Sequence, residues 1–262
     1  MTMRQIFLDS QAQTAALQRR AVLYILLIIV AEVFLVVAGP MVSLMAHGIL
    51  LIVLALQTAS LETQHQQAFA ALMLQPLLRV ISLGLPTSGL PPLAQYTMVG
   101  LPLLIGIILI MRNLKLRAGD IGLVSRLGWQ PFALGLLGWP LGLIGALIIR
   151  PTPAIPSLST PNLLLGIVVI TVFSSSVEEL VFRGILQTTL YQYFGKYVIL
   201  FTSLLYVAAY IGTLSIPYII FMGLVGLGFA LVVQRSESLW GVLIAHSLFK
   251  CGALLVWPFL LR

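Results

Sequence analysis

The chain has 262 residues, of which 60% are hydrophobic and only 8% charged, against about 25% charged in an average soluble domain. Fourteen Lys and Arg against seven Asp and Glu are too few to cover a water-soluble sphere of this size, and a mean hydropathy of +1.09 requires apolar surface to face lipid. The net charge of +7 is scattered in small groups between apolar runs, which reads as membrane topology and not as a nucleic-acid face.

In chain order, the apolar runs are Ala21 to Gly39, Met41 to Leu56, Phe69 to Leu85, Leu93 to Met111 and Phe132 to Ile149. They continue with Asn162 through Glu178 and Glu179 towards Phe194, Tyr197 to Ile211, Ile216 to Val233, and Leu239 to Leu261. In lipid every backbone polar group must be satisfied within its own segment, so all are expected to be helices. The first run lacks an A-x-A cleavage pattern and reads as a retained anchor behind a polar N-terminal tail.

The run Phe69 to Leu85 carries Gln75, Pro76 and Arg79 and could span or lie in the interface. If it spans, Arg4, Arg19 and Arg20 share a side with Arg112, Lys115, Arg117 and Arg126, with Lys196 and with Arg235, leaving Arg150 and Arg262 opposite. That favours nine crossings and a cytoplasmic N-terminus, with eight as the alternative. The segment RPTPAIPSLSTP, Arg150 to Pro161, holds four prolines and is taken as the boundary between residues 1–150, a tail plus about five transmembrane helices, and a helical domain over 162–257. GLPTSGLPPL, Gly84 to Leu93, is a second stiff loop, on the extracytoplasmic side in this topology.

A charge near the bilayer centre costs roughly 2.5–3.5 kcal/mol on insertion scales, so each one needs a partner or a task. Most follow the proline boundary: Glu178 and Glu179, Arg183 one turn later, and His246 and Lys250 one turn apart in the last helix. One reading is a neutral clamp, Glu179 to Arg183 at i,i+4 and the other carboxylate to Lys250 across helices. The other is a water-activating site, in which a carboxylate and a histidine, with or without a metal, promote attack on a carbonyl. Elsewhere Glu32 and His47 could face each other, Arg79 is expected to snorkel or pair with Glu32, and His65 in LETQHQQ is expected to be solvated. Cys251 and the glycines Gly223 to Gly228 read as packing residues.

SSSVEELVFRGILQTTLYQYFG, then LLYVAAYIG, then QRSESLWGVLIAHSLFK resemble the CPBP family of intramembrane proteases, which includes the CAAX prenyl endopeptidases and the Abi relatives. Its EExxxR motif is present as Glu178, Glu179 and Arg183, continued by Phe182 and Gly184. Its FxxxH motif aligns with Tyr206 to Tyr210, where tyrosine replaces histidine. Its HxxxN motif aligns with His246 to Lys250, where lysine replaces asparagine. The resemblance implies Glu178 as base, Glu179 and Arg183 as its support and His246 as donor or ligand. Zinc is the cofactor such a site invites, but Tyr210 is a poor ligand unless ionised and the Lys250 ammonium would repel a divalent cation, so no metal is assigned.

The expected protein is therefore an all-α polytopic membrane protein of about eight or nine transmembrane helices with a CPBP-like C-terminal core. Its partners are the bilayer and a membrane-associated or prenylated polypeptide, with no nucleic acid, and a prokaryotic plasma membrane is the expected location. Two functions stay open: an endopeptidase with Glu178-activated water, or a pseudoprotease that binds or immunises without cutting. A transporter is disfavoured because no inverted repeat with paired helix breaks is visible, and H-E-x-x-H, G-x-S-x-G and G-x-G-D protease motifs are absent.

Overall fold

The computed structural model describes residues 3–123 and 129–261, and all the regular secondary structure among them is helical. Of the basic residues assigned to the two membrane sides, Arg126 and Arg262 lie outside the described residues. The helices are α1 Met3–Val37, α2 Pro40–Ala59, α3 Thr63–Leu72, α4 Leu74–Gly84, α5 Pro92–Asn113, α6 Gln130–Gly135 and α7 Gly138–Ile149. They continue as α8 Thr160–Ile170, α9 Ser176–Glu179, α10 Gln187–Phe194, α11 Val198–Ala208, α12 Ile216–Ser236, α13 Trp240–Cys251 and α14 Trp257–Leu260.

Eight helical stretches among the described residues are long and apolar enough to cross a membrane. Their outer faces carry exposed large apolar side chains, such as Met41, Met45, Ile49, Ile52 and Leu56 on α2 and Leu164, Leu165 and Val168 on α8. Such faces are stable only against lipid, and the chain is an integral membrane protein. The eighth and ninth expected crossings need a distinction. One stretch, Thr160–Thr213, is 54 residues long and doubles back at Gly195, whose φ of 51° suits glycine. Its return limb α11 has 11 residues, about 16 Å of helix at about 1.5 Å per residue, short of a hydrocarbon core of about 30 Å. The run Tyr197 to Ile211 is thus not an independent span by length, although the chain passes along the bundle nine times.

The questioned run Phe69 to Leu85 does form part of a span, His65–Gly84. It is built from α3 and α4 with a joint at Met73, where the N–H bonds to the Ala70 carbonyl. Pro76, three residues on, cannot donate to Leu72, which explains the joint there. The loop around His65 departs from expectation: α3 begins at Thr63, and His65 is buried with Nδ1 2.8 Å from the Tyr193 hydroxyl.

Two ends of the bundle are distinguishable. At one, the loop after α5 reaches the turn before α13, where the Leu239 N–H donates to the Gly122 carbonyl at 2.8 Å, and His65 meets Tyr193 at the end of α10. At the other, Ala154 donates to the Leu254 carbonyl at 2.8 Å. Pro258 has no N–H to offer Leu254, which leaves that carbonyl for the loop. A π-helical turn over Gly252–Val256 accompanies it. The chain starts at the first end and finishes at the second.

Close packing of α13 depends on glycine. A Cβ at Gly138 would fall on the Ala245 carbonyl, and one at Gly142 would lie 2.6 Å from the Phe249 carbonyl oxygen. Within Gly223 to Gly228, Gly226 has the expected packing role, since its Cβ would meet the Tyr206 ring at 2.6 Å, whereas Gly228 faces open space.

Candidate active site

The helix that carries Glu178 and Glu179 is α-helical only for the four residues of α9 and is flanked by π-helical turns, Thr171–Ser175 and Leu180–Leu186. Such wide turns rotate the side chains that follow them and recur at functional sites. Here both carboxylates are brought to the interior, with Glu179 fully buried and the Glu178 side chain 21% exposed.

Each carboxylate meets at least one partner from another helix, and Glu179 also meets Arg183 one turn along its own limb. Lys250 Nζ on α13 lies 2.5 Å from Glu178 Oε1 and 2.8 Å from the Ser174 hydroxyl. The Tyr210 hydroxyl, just past the end of α11, donates to Glu178 Oε2 at 2.7 Å. His246 Nδ1 lies 2.6 Å from Glu179 Oε1, which also accepts from Arg183 NH1 at 3.1 Å. Arg183 then bonds the Gly226 carbonyl at 3.1 Å and stacks 3.9 Å from the Tyr206 ring centroid, a cation–π contact that desolvation strengthens. Two carboxylates face one guanidinium and one ammonium, a formal sum of zero, which is how a membrane interior tolerates four ionisable groups.

Glu178, Glu179, Arg183, His246, Tyr206, Tyr210 and Lys250 therefore converge in one cluster from three helical limbs. His246 Nε2 has no hydrogen-bond partner and points to Glu178 Oε2 at 3.6 Å. In the tautomer that donates from Nδ1 to Glu179, Nε2 presents its lone pair on the side of Glu178.

A cavity of about 350 Å³ runs from Glu178, Val177, Ser174 and Phe173 along Leu103, Val99 and Leu78 to Ser82, Thr87 and Pro92. Gln95 and Tyr96 line its side. Ser174 and this wall of α4 and α5 are functional candidates that the motifs do not contain. For Ser174 a signal existed, since it precedes Glu178 by four residues and so shares its helix face. For α4 and α5 none did, because their contribution depends on which helices become neighbours.

The residues do not fit a zinc ion. Among the described residues no group of three His, Cys, Asp or Glu could hold a metal, and the Lys250 ammonium touches the carboxylate oxygen that a cation would need.

A polytopic helical protein with a buried Glu, His, Arg and Lys constellation at the foot of a cavity belongs to the class of membrane proteins with an interior acid–base site. Residues 160–252, which contain every member of that cluster, match the family model for Rce1-like proteins, type II CAAX prenyl endopeptidase Rce1-like, and this places the matched segment in the CPBP family. No curated protein and no solved structure matches the chain.

A second buried polar cluster lies in the N-terminal helices. Arg79 Nε sits 2.7 Å from Glu32 Oε2, and His47 Nε2 is 3.6 Å from Glu32 Oε1. Arg79 NH2 donates to the Ala209 carbonyl at 2.6 Å and Gln75 to the Leu205 carbonyl at 3.1 Å. Leu205 lies in the last turn of α11 and Ala209 just beyond its end, where helix carbonyls run out of intrahelical donors, so this cluster anchors the segment that presents Tyr206 and Tyr210.

Proposed function

We propose that the protein is a metal-independent intramembrane endopeptidase of the CPBP type. Glu178 is the general base. The observation that carries this reading is that Glu178 alone of the two motif carboxylates borders the cavity, while its Oε2 lies 3.6 Å from His246 Nε2 behind it.

A water donating to Glu178 Oε2 and His246 Nε2 has its oxygen lone pair directed at a carbonyl carbon in the cavity. As the new C–O bond forms, the water proton passes to Glu178 and the carbonyl electrons become an oxyanion. Lys250 has three donors, of which Ser174 and Glu178 take two, and the third serves the oxyanion. Collapse of the intermediate breaks the C–N bond, and the amine leaves with the proton held by Glu178. Glu179 holds the His246 tautomer, and Arg183 holds Glu179.

The test is cleavage of a membrane-peptide library by detergent-purified protein, with Glu178→Gln as the comparison. Turnover by the parent and its loss in the variant are expected; turnover unchanged in the variant overturns the assignment.

A second reading is favoured by one observation. Both oxygens of Glu178 already have partners, in Lys250 and Tyr210, as in a protein that binds a membrane polypeptide without cutting it. Cleavage by a Tyr210→His/Lys250→Asn double variant but not by the parent is the result that selects this reading.

A further inference from the structure

Resting on the protease reading, we propose that the site is served from the extracytoplasmic face, so that its substrate is a membrane-anchored polypeptide cut just outside the membrane and not a prenylated tail in the cytoplasm. Two independent features of the molecule meet in this inference: where the cavity leads, and where the basic residues lie.

The cavity leads away from the end at which the chain starts. Its deep wall is Glu178, Ser174 and Val177, and its other limit is Thr87 and Pro92, in the loop between α4 and α5. That loop belongs to the same end as the Arg150–Pro161 segment and α14. In the opposite direction the site is closed. Phe182, Arg183, Ile185 and Leu186 are all buried, and Ile121, 1% exposed, packs at Gly184, where a Cβ would stand 3.5 Å from the Ile121 Cβ. The Gly122 carbonyl is tied to Leu239, so this closure is held on both sides.

The closed end carries the positive charge. Arg112, Lys115 and Arg117 follow α5, Lys196 sits in the turn after α10, Arg235 ends α12, and Arg19 and Arg20 lie before the apolar part of α1. At the open end Arg150 is the basic loop residue among those described. Basic residues in short loops stay cytoplasmic, which puts the closed end in the cytoplasm and the mouth outside.

The lining agrees with an extended polypeptide as occupant. Hydrogen-bonding side chains, Ser82, Thr87, Gln95 and Tyr96, share the wall with Leu78, Val99 and Leu103. An isoprenoid would need a wall without the first group, because each polar group covered by hydrocarbon loses its water. A peptide backbone replaces that water with its own donors and acceptors.

The experiment uses the full chain in cells and in inverted membrane vesicles. Cys251, the single cysteine, is replaced by Ala, and one cysteine is introduced as Thr87→Cys, Ser82→Cys or Ala118→Cys. A membrane-impermeant maleimide is expected to label Thr87→Cys and Ser82→Cys from outside the cell and Ala118→Cys only in inverted vesicles. Two reporters accompany it, a single transmembrane helix with a cleavable extracytoplasmic extension and a farnesylated cytoplasmic peptide, each with parent and Glu178→Gln protein. Glu178-dependent cleavage of the first reporter supports the proposal. Labelling of Thr87→Cys only from the cytoplasmic side, or cleavage of the farnesylated reporter alone, overturns it. External labelling without cleavage of either reporter keeps the sidedness and removes the protease reading, so the two failures are distinguishable.

Discussion

Glu178 touches a lysine, a tyrosine and a cavity, and each contact has its own consequence. Glu178→Gln keeps the shape and loses the proton acceptor, so turnover is expected to fall about 10²–10⁴-fold, the usual share of general base catalysis, and the thermal transition is expected to fall as well because the Lys250 ammonium loses its carboxylate. Lys250→Met removes an oxyanion donor, and a fall in kcat of about 10²–10³-fold at nearly constant KM is expected from steady-state kinetics. A chelator is expected to leave the rate unchanged, since an ammonium stands where a cation would sit; inhibition reversed by added zinc would contradict this. Arg183 and Glu179 are 1% and 0% exposed, so Arg183→Met strands a carboxylate in the interior. A loss of about 3–5 kcal/mol in stability is expected, read from the midpoint of denaturation in detergent.

At the scale of elements, the site depends on how closely α13 approaches α7 and on where α11 ends. Gly138→Val drives a side chain into the Ala245 backbone next to His246, and overpacking of this kind costs about 1–3 kcal/mol or more. Gly228→Ala, which meets nothing within 4 Å, is the matched control and is expected to be neutral in the same melting assay. Arg79 ties the end of α11 to Glu32 across three helices. Arg79→Met is therefore expected to lower stability and also to weaken the Tyr210 contact with Glu178, so that activity is lost without any change in the residues around the water. Adding Glu32→Leu removes the stranded carboxylate; stability is expected to recover and activity to stay low, because the Ala209 carbonyl is still without its Arg79 donor.

For the whole molecule, the chain starts at one end of the bundle and finishes at the other. Reporter fusions to the N-terminus and C-terminus are expected to fall on opposite sides of the membrane; the same side for both would mean that α11 and its partner limb do not carry the chain across. The helical class, the membrane solvent and the Glu178, Glu179, Arg183, His246 and Lys250 set were all legible beforehand, because lipid forbids unpaired backbone and makes every interior charge conspicuous. The pairing of Arg79 with Glu32 was legible for the same reason. The burial of His65 was not, since a histidine among glutamines looks solvated until Tyr193 arrives from 128 positions away.

Composition and apolar run length thus determined by themselves that this is a polytopic helical protein with ionisable residues gathered in its C-terminal part. They could do so because hydropathy and charge are local properties of the chain. Which oxygen of which glutamate meets Lys250, Tyr210 or His246 was decided only by the tertiary structure, through the π-helical turn that precedes Glu178 and Glu179 and through glycines that let α13 approach. The cavity wall from α4 and α5, and hence the direction of access, was decided there too. Those features depend on distances between helices far apart in the chain, and no local pattern of residues encodes a distance across the bundle.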